Sequence, residues 1–297
     1  MTKRSVSKRA ENHPGCPEPK GILIAIGGRE DKGDGAVNEG QEKNKSFIAE
    51  EILKRFVDEL KGENPMVAVV PAASTMPEEI SKDYQRVFAS LGVNNIEVID
   101  VRKRADAYEP AFADMVERAA GIMFTGGDQL RLTVLLGGTH LLQLMRERYT
   151  YDQVVIAGTS AGATAMSTPM IYEGAAASGF IMGDVRITTG LEFLKDVAID
   201  THFIARGRIV RMSQAISMNP GCIGLGLEED TAALFTKGRE FEVLGSGIIT
   251  VVDGMSISRT NIHEVGKGEP FTICDLKMHL LSRGQKYQLP TLPQMHV

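Results

Sequence analysis

A serine set between glycines is the residue of this chain whose surroundings point most directly to chemistry. Residues 158–162 read Gly-Thr-Ser-Ala-Gly, a G-x-S-x-G pattern between the apolar run 154–157 and a helix-prone stretch. A strand that turns sharply into a helix needs small residues because its neighbours crowd it, and the turn exposes the central hydroxyl. The pattern predicts a nucleophilic Ser160, with the amide of Ala161 available to a developing oxyanion. A glycine-tight turn without a catalytic role fits the same residues.

A serine nucleophile needs a base, which is usually a histidine oriented by a carboxylate. Of the six histidines, His202 is the candidate because it stands where an apolar run ends and a basic segment begins. A capping or core histidine is the alternative. The carboxylates that could orient it lie beside it or in an acidic cluster that closes an apolar run, and these are Asp200, Glu228, Glu229 and Asp230. Solvated surface acids would give the same cluster.

Three arginines and a glycine pair complete the candidate site. Arg208 and Arg211 are three residues apart, on one face of a predicted helix, and Arg206 stands at its entrance. Arginine suits bidentate recognition of carboxylates, although an exposed basic helix face has the same pattern. In the run 126–129, Gly-Gly-Asp-Gln, the glycine pair can present a second oxyanion amide and Gln129 offers a donor and an acceptor. A plain strand-to-helix turn would read the same way.

Short apolar runs alternate with amphipathic stretches up to residue 157, which predicts a mostly parallel sheet flanked by helices in an α/β fold. Helices are expected over residues 45–61 and 206–218, among others. Several predicted strands end in glycine-rich turns, and sites in such sheets form at the carboxyl ends of the strands. The segment 29–44 is charged and glycine-rich, and it follows the first of these ends.

The last third of the chain predicts a different kind of strand pairing. Four short apolar runs follow closely on one another, at residues 223–227, 232–236, 240–244 and 247–252. They predict an antiparallel C-terminal extension of the same sheet, with a second small domain as the alternative. Residues 1–20 are polar and proline-rich and are expected to form a disordered arm, so that a single α/β domain covers residues 21–297.

Composition excludes several classes of function. A net charge of -5 without a long basic run gives no electrostatic case for nucleic acid or an anionic membrane as a partner. Three distant cysteines without C-x-x-C spacing indicate a reducing compartment and no zinc site. No window is apolar enough to cross a membrane, and neither a G-x-G-x-x-G nor a Walker A loop is present. A cytoplasmic protein without a metal or cofactor is the expectation.

Taken together, these motifs resemble the peptidase E-like serine peptidase family, and within it the members that degrade cyanophycin. The resemblance spans roughly residues 21–255 and rests on four motifs in order: 126–129, 158–163, 200–203 with the arginines that follow, and 228–232. It implies a fold like that of class I glutamine amidotransferases, which is flavodoxin-like, and commonly a homodimer. Thr201 departs from the family pattern, because members often carry glutamine beside the histidine.

The resemblance also implies roles for individual residues. Ser160 would be the nucleophile, His202 the base and Glu229 the acid, while Gly127 and Ala161 would supply the oxyanion amides. The side chains expected to contact substrate are Gln129, Asp200, Arg206, Arg208 and Arg211. No cofactor is implied.

The substrate implied is cyanophycin, a polyaspartate backbone whose side chains each carry an arginine linked through its α-amino group, and the product is the β-Asp-Arg dipeptide. Its free carboxylates suit the arginines, and its guanidinium groups need acids such as Asp128, Glu173 or Asp230. Two alternatives stay open, namely a peptidase E-like dipeptidase acting on small Asp-X substrates and a noncatalytic binding module that keeps the serine turn as architecture.

Overall fold

The structure is a computed structural model that describes residues 17–35, 39–175 and 178–290. Most of the predicted N-terminal arm, residues 1–16, lies outside the described residues. Close to the predicted start of the fold, the Lys20 amide donates to the Thr150 carbonyl at 3.1 Å. The first strand follows directly, at residue 22.

A parallel sheet forms the first half of the molecule. Its strands are β1 (Ile22–Ile26), β2 (Met66–Val70), β3 (Asn95–Val98), β4 (Gly121–Phe124) and β5 (Val155–Thr159), side by side in the order β1, β5, β4, β2, β3. The side chains of β2, β4 and β5, and most of those of β1, are buried because both faces are covered, which explains the apolar runs in the sequence, whereas the edge strand β3 is half-buried. The predicted α/β fold with a mostly parallel sheet is confirmed.

Helices cover both faces of this sheet. They are α1 (Glu39–Lys43), α2 (Glu51–Glu59), α3 (Pro77–Ser90), the 3₁₀ turn Arg104–Tyr108, α4 (Pro110–Arg118), α5 (Gln129–Leu136), α6 (His140–Tyr151) and α7 (Ala161–Ala165). Phe56 of α2 and Phe88 of α3 pack on one face, whereas α4 to α7 pack on the other. The helix predicted over 45–61 begins only at residue 51, because Glu50 has left-handed backbone torsions that interrupt a helix.

A second sheet lies against the face that carries α7. It combines the short strands β6 (Ser167–Thr168) and β9 (Leu194–Lys195) with β10 (Val197–Thr201), β11 (Ile223–Leu227), β14 (Ile248–Asp253) and β17 (Lys277–Ser282). β10 and β11 are parallel and are joined by helix α8 (Ile209–Met218). This crossover places the ends of β10 and β11 next to each other.

The antiparallel extension divides between the two sheets. β12 (Thr231–Thr236), β13 (Glu240–Gly245) and β18 (Lys286–Gln288) continue the first sheet antiparallel beside β1. The predicted strands at 223–227 and 247–252 instead belong to the second sheet, where β14 is antiparallel to β11. Two hairpins complete the fold, one from β7 (Met170–Glu173) and β8 (Arg186–Thr188), the other from β15 (Arg259–Thr260) and β16 (Ile273–Cys274).

Candidate active site

Ser160 occupies a sharp turn between β5 and α7. Its backbone has φ 50° and ψ −113°, which is a rare conformation for a residue with a side chain. The flanking glycines are required by close packing, since a Cβ on Gly158 would lie 2.7 Å from the carbonyl carbon of Gly162, and one on Gly162 would lie 2.6 Å from the Phe124 oxygen. The turn is therefore the strained strand-to-helix type that exposes a serine hydroxyl.

His202 bridges Ser160 and Glu229. Its Nε2 lies 3.0 Å from the Ser160 Oγ, and its Nδ1 lies 2.7 Å from the Glu229 Oε1. Because an ionised carboxylate only accepts, it favours the tautomer in which Nδ1 donates to Glu229 and Nε2 accepts from the serine hydroxyl. Burial lowers the pKa of the His202 imidazole, and the Glu229 carboxylate opposes this shift. The ring is therefore held neutral, in the state a general base requires.

The strand ends explain how residues distant in sequence meet here. His202 follows β10, and Glu229 follows the parallel neighbour β11 by two residues. The turn after β1 joins the two ends, since the His202 amide donates to the Gly27 carbonyl at 3.0 Å and the Asp230 amide donates to the Gly28 carbonyl at 2.8 Å. The first and second sheets thus both contribute to this site.

Gly28 is a necessary neighbour of the histidine ring. Its φ is +98°, and a Cβ at this position would lie 2.5 Å from Nε2 and from Cε1 of His202. Any side chain here would move the ring away from the serine. The requirement was missed in the sequence, where Gly27-Gly28 reads only as a strand end.

The three adjacent acids have three separate roles. The Oε2 of Glu228 accepts hydrogen bonds from the amides of Ile204 and Ala205, at 2.6 and 3.1 Å. Glu229 meets His202, and its other oxygen lies 3.4 Å from the Arg29 Nη1. This division follows from the turn after β11, which sends consecutive side chains in different directions.

Asp230 is occupied by the loop that follows β1. Its carboxylate accepts from the Asp31 amide at 3.0 Å, the Gln41 side-chain amide at 2.9 Å and the Ser246 hydroxyl at 2.6 Å. Burial raises the pKa of this carboxyl, and the hydrogen bonds counteract the rise. Asp230 therefore holds the loop in place, which differs from the expectation that it receives a guanidinium group.

Asp200 and two of the three arginines form a buried ion cluster. The Asp200 side chain is fully buried, with Arg211 at 2.6 Å and Arg208 at 2.8 Å from its oxygens. Arg211 also donates to the Gly174 carbonyl. Substrate contact by Asp200, Arg208 and Arg211 stays a prediction, in which the buried Asp200 would act by holding the two arginines, because one carboxylate paired with two guanidinium groups leaves the cluster positively charged.

Arg206 differs from the other two arginines. It is exposed, and its charge acts on His202, where it helps to lower the imidazole pKa. Its place outside a helix also corrects the predicted start of the helix, which begins at Ile209. Residues 203–208, which precede this helix, form turns. Gly207 has a φ of +61°, and Glu228 accepts hydrogen bonds from the amides of residues 204 and 205.

The glycine pair before α5 lies close to the serine turn. A Cβ on Gly126 would lie 3.6 Å from the Ser160 Cβ, and Gly127, at φ +143°, passes so near to Ala73 that a Cβ would overlap its carbonyl oxygen. Within the described ranges, the amides of Gly127 and Ala161 have no hydrogen-bond acceptor. Both are thus available to an incoming oxyanion.

The other residues predicted to contact substrate lie at the start of α5 and in β7. The side-chain amide of Gln129 donates to the carbonyls of Ile171 and Tyr172, at 3.3 and 3.4 Å. Asp128 caps helix α5 through the amide of Leu130, and exposed Glu173 lies 3.3 Å from the Arg186 Nε. Gln129 therefore links α5 to strand β7.

A pocket of about 620 Å³ opens beside the serine. Its lining includes Ser160, Gly126 and the charged loop after β1, with Arg29, Glu30 and Lys32 among its side chains. The sequence indicated this loop as a binding segment, but nothing in its composition separated buried Glu30 from the exposed acids around it. The acidic, basic and polar groups together suit a substrate that carries charges of both signs.

Two structural features bear on partners and cofactors. Across residues 17–35, 39–175 and 178–290, no three His, Cys, Asp or Glu side chains are grouped so that they could hold a metal ion. No helix in the same ranges is long and apolar enough to span a membrane.

Known proteins place the chain in a family. The model of peptidase family S51 matches residues 38–244. A cyanophycinase from Synechococcus elongatus is 36% identical over 291 residues, which covers 98% of this chain and 85% of the relative. A cyanophycinase from Geminocystis herdmanii is 35% identical over 269 residues, covering 91% of this chain and 94% of the relative.

A solved structure shares the fold. The peptidase from an acI-B1 Actinobacterium superposes with a TM-score of 0.61 at 20% identity, covering 92% of this chain and 98% of that one. The family match spans β2 to β13, and it includes the serine turn, the histidine and the acid cluster. The chain belongs to peptidase family S51 and is a serine-type peptidase.

Proposed function

We propose that this peptidase is an exopeptidase that hydrolyses cyanophycin to β-Asp-Arg dipeptides through an acyl-enzyme on Ser160. The observation that carries the catalytic part is the position of His202, with Ser160 at 3.0 Å and Glu229 at 2.7 Å on its two ring nitrogens. A serine, a neutral histidine and a carboxylate in this order form a catalytic triad, in which the carboxylate orients the histidine that activates the serine.

The reaction begins when the Ser160 Oγ attacks the carbonyl carbon of an aspartyl peptide bond while its proton passes to the His202 Nε2. The carbonyl oxygen becomes an oxyanion, which the amides of Gly127 and Ala161 stabilise. When the intermediate collapses, the C–N bond breaks and His202 returns the proton to the departing amine. Water then attacks the ester carbonyl and gives its proton to His202. The bond between the carbonyl carbon and the Ser160 Oγ breaks, His202 returns the proton to that oxygen, and the product leaves with a new carboxyl group.

The substrate follows from the relatives and from the charges around the serine. Relatives about 35% identical over most of this chain are named cyanophycinases. The pocket beside Ser160 offers cationic and anionic side chains together, as a polymer with carboxylate and guanidinium groups requires. Arg208 and Arg211 share the Asp200 carboxylate, whereas Arg206 is exposed, so Arg206 is the most accessible of the three arginines for substrate contact.

The experiment is a digestion of purified cyanophycin followed by mass spectrometry of the products. The unaltered enzyme is expected to release a dipeptide of Asp and Arg, and Ser160→Ala to release none while keeping its thermal unfolding profile. Ser90→Ala, an exposed serine at the end of α3, is the matched control and keeps full activity. Dipeptide release by Ser160→Ala at the normal rate would refute the mechanism.

Two further outcomes identify the alternatives. Hydrolysis of small Asp-X dipeptides without digestion of cyanophycin would assign the site to an aspartyl dipeptidase. If a serine-directed fluorophosphonate failed to label Ser160 in the folded protein, the site would be a noncatalytic binding module.

We also propose one peptidase domain, acting as a homodimer in the cytoplasm in nitrogen storage. The single domain is supported by one hydrophobic cluster that includes side chains of both sheets, such as Leu23 of β1 and Leu225 of β11. The dimer and the storage role rest on the family resemblance, and the compartment rests on the three distant cysteines and the lack of a long apolar run.

A further inference from the structure

The charged loop after β1 has a defined shape. The Asp31 carboxylate accepts from the amides of Gly33 and Glu50, each at 2.9 Å, and the Asp31 amide is bound by Asp230. A loop held at both its own turn and the acid cluster presents its next side chains in fixed positions. Glu30 and Lys32, the neighbours of Asp31, both line the pocket that contains Ser160.

Glu30 is buried beneath this pocket. The Thr159 Oγ1 donates to its Oε2 at 2.5 Å, and the Tyr84 hydroxyl donates to its Oε1. Burial and the Glu30 charge raise the pKa of Tyr84 well above its usual range, so the phenol keeps its proton and remains a donor. Glu30 is therefore a buried carboxylate with both oxygens hydrogen-bonded.

Lys32 lies over this buried carboxylate. Its Nζ is 3.8 Å from the Glu30 Oε1 and 4.2 Å from the centre of the Tyr84 ring. An ion pair and a cation–π contact on one ammonium group restrict where it can move. The side chain is 20% exposed, so it has lost most of its contact with water.

The ammonium group nevertheless has no hydrogen-bond acceptor in the described part of the chain. The 3.8 Å to Glu30 is too long for a hydrogen bond, and the Tyr84 ring face offers no lone pair. The N–H donors of Lys32 therefore have no protein acceptor there and can donate to a ligand oxygen in the pocket. Lys32 and Ser160 line the same pocket, so a cationic group faces the space that the nucleophile also faces.

We propose that Lys32 binds the α-carboxylate of an arginine residue of the polymer substrate and that Glu30 and Tyr84 hold its ammonium group in place. This proposal rests on the proposed function, since the arginine α-carboxylate is the anionic group that repeats along cyanophycin. Glu30, Asp31 and Asp34 also line the pocket, so without Lys32 their charges would oppose a carboxylate.

Binding to the full chain tests the proposal without turnover. In the Ser160→Ala background, isothermal titration would compare a short synthetic (β-Asp-Arg) oligomer with its analogue in which each arginine carboxylate is an amide. The protein is expected to bind the carboxylate form about tenfold more tightly or better. Lys32→Met should abolish this preference, whereas Lys32→Arg, which keeps the positive charge, should retain part of it.

Lys82→Met is the matched control, because Lys82 is an exposed lysine on α3, the helix that also carries Tyr84. It is expected to leave the preference unchanged, and thermal unfolding would verify that each variant is folded. A preference that survives in Lys32→Met, or that is missing when Lys32 is intact, overturns the role of Lys32. Failure of the proposed function has a different signature, in which neither oligomer binds and cyanophycin is not digested.

Discussion

The His202 imidazole must be neutral to accept the serine proton, and its surroundings favour that state. Burial lowers its pKa, and the charge of nearby Arg206 lowers it further, whereas Glu229 raises it. A base with a lowered pKa loses its activity only when the pH falls through that lowered value. We therefore expect kcat/KM to be already on its plateau at neutral pH and to decline on the acid side, below the ordinary range for histidine.

Glu229→Gln tests the tautomer and the pKa together. A glutamine can donate to the His202 Nδ1, which favours the ring form with the proton on Nε2, where it blocks transfer from serine. We expect kcat to fall about 10²- to 10⁴-fold. Because Glu229 raises the His202 pKa, its loss should also move the acid limb of the pH profile to lower pH.

The pH profile separates this role from a structural one. Glu78→Gln, at an exposed glutamate paired with Arg102, serves as the control and should change neither the rate nor the limb. An acid limb of Glu229→Gln that stayed in place or moved to higher pH would contradict the assignment of Glu229 as the partner of His202.

At the level of single residues, the sequence indicated a functional group where the residues that determine its geometry are adjacent to it in the chain. The strained turn at Ser160 can be read from glycines that are adjacent in the chain. Glu30 could not be recognised in this way, because its partners Tyr84 and Thr159 are 54 and 129 residues away. The ion cluster of Asp200, Arg208 and Arg211 could not be recognised for a related reason, since spacing on a helix does not reveal that a buried acid from a neighbouring strand pairs with both arginines.

Among the elements, the turn after β1 controls the position of the histidine. Gly28→Ala would place a Cβ within 2.5 Å of the His202 ring. The ring must then rotate or shift, which lengthens its 3.0 Å contact with the Ser160 Oγ. We expect kcat to fall at least about 10²-fold, since an error of about 1 Å in a catalytic group has an effect of this size.

Gly92→Ala separates this clash from backbone strain. Gly92, at the end of α3, has a φ of +91°, close to the +98° of Gly28, but a Cβ there would meet nothing within 4 Å. Both variants should lose about 1–2 kcal/mol of unfolding free energy from the left-handed backbone. Urea unfolding and peptidase assays on the pair would check this, and equal losses of activity would show that Gly28 matters only through the backbone.

The predicted elements were most accurate where both faces of the sheet are covered. β1 and β2 end where the apolar runs end, because full burial requires every side chain in them to be apolar. The helix predicted over 45–61 was too long, since its pattern does not encode the Asp31 carboxylate that binds the Glu50 amide and fixes a left-handed residue there. Helix ends set by contacts from distant loops are not visible in local periodicity.

For the whole molecule, the division of the C-terminal strands between two sheets was the feature that the sequence did not specify. β11 and β12 are separated by only three residues, Glu228 to Asp230, yet they belong to different sheets. Both strands are short and apolar, so the pattern alone favours neither arrangement. The choice of sheet depends on β10, which pairs parallel to β11 and brings its own following residue, His202, to the acid cluster.

If the two sheets form one domain, they should unfold together. Leu23 of β1 and Leu225 of β11 are fully buried in the same hydrophobic cluster. Truncation of either to alanine should lower the unfolding free energy by about 2–5 kcal/mol, and both should shift one common transition. Far-UV circular dichroism and loss of serine-probe labelling, followed through the same thermal scan, would report the two sheets and the site between them.

The decisive comparison is between the two variants. In a single cooperative domain, the two signals coincide in Leu23→Ala and in Leu225→Ala, and the calorimetric and van't Hoff enthalpies agree. Two separate domains would instead give two transitions, of which Leu225→Ala moves only the one for the second sheet. Because Ser160 follows a strand of the first sheet while His202 and Glu229 follow strands of the second, independent unfolding of either sheet would separate the nucleophile from its base before the rest of the chain melts.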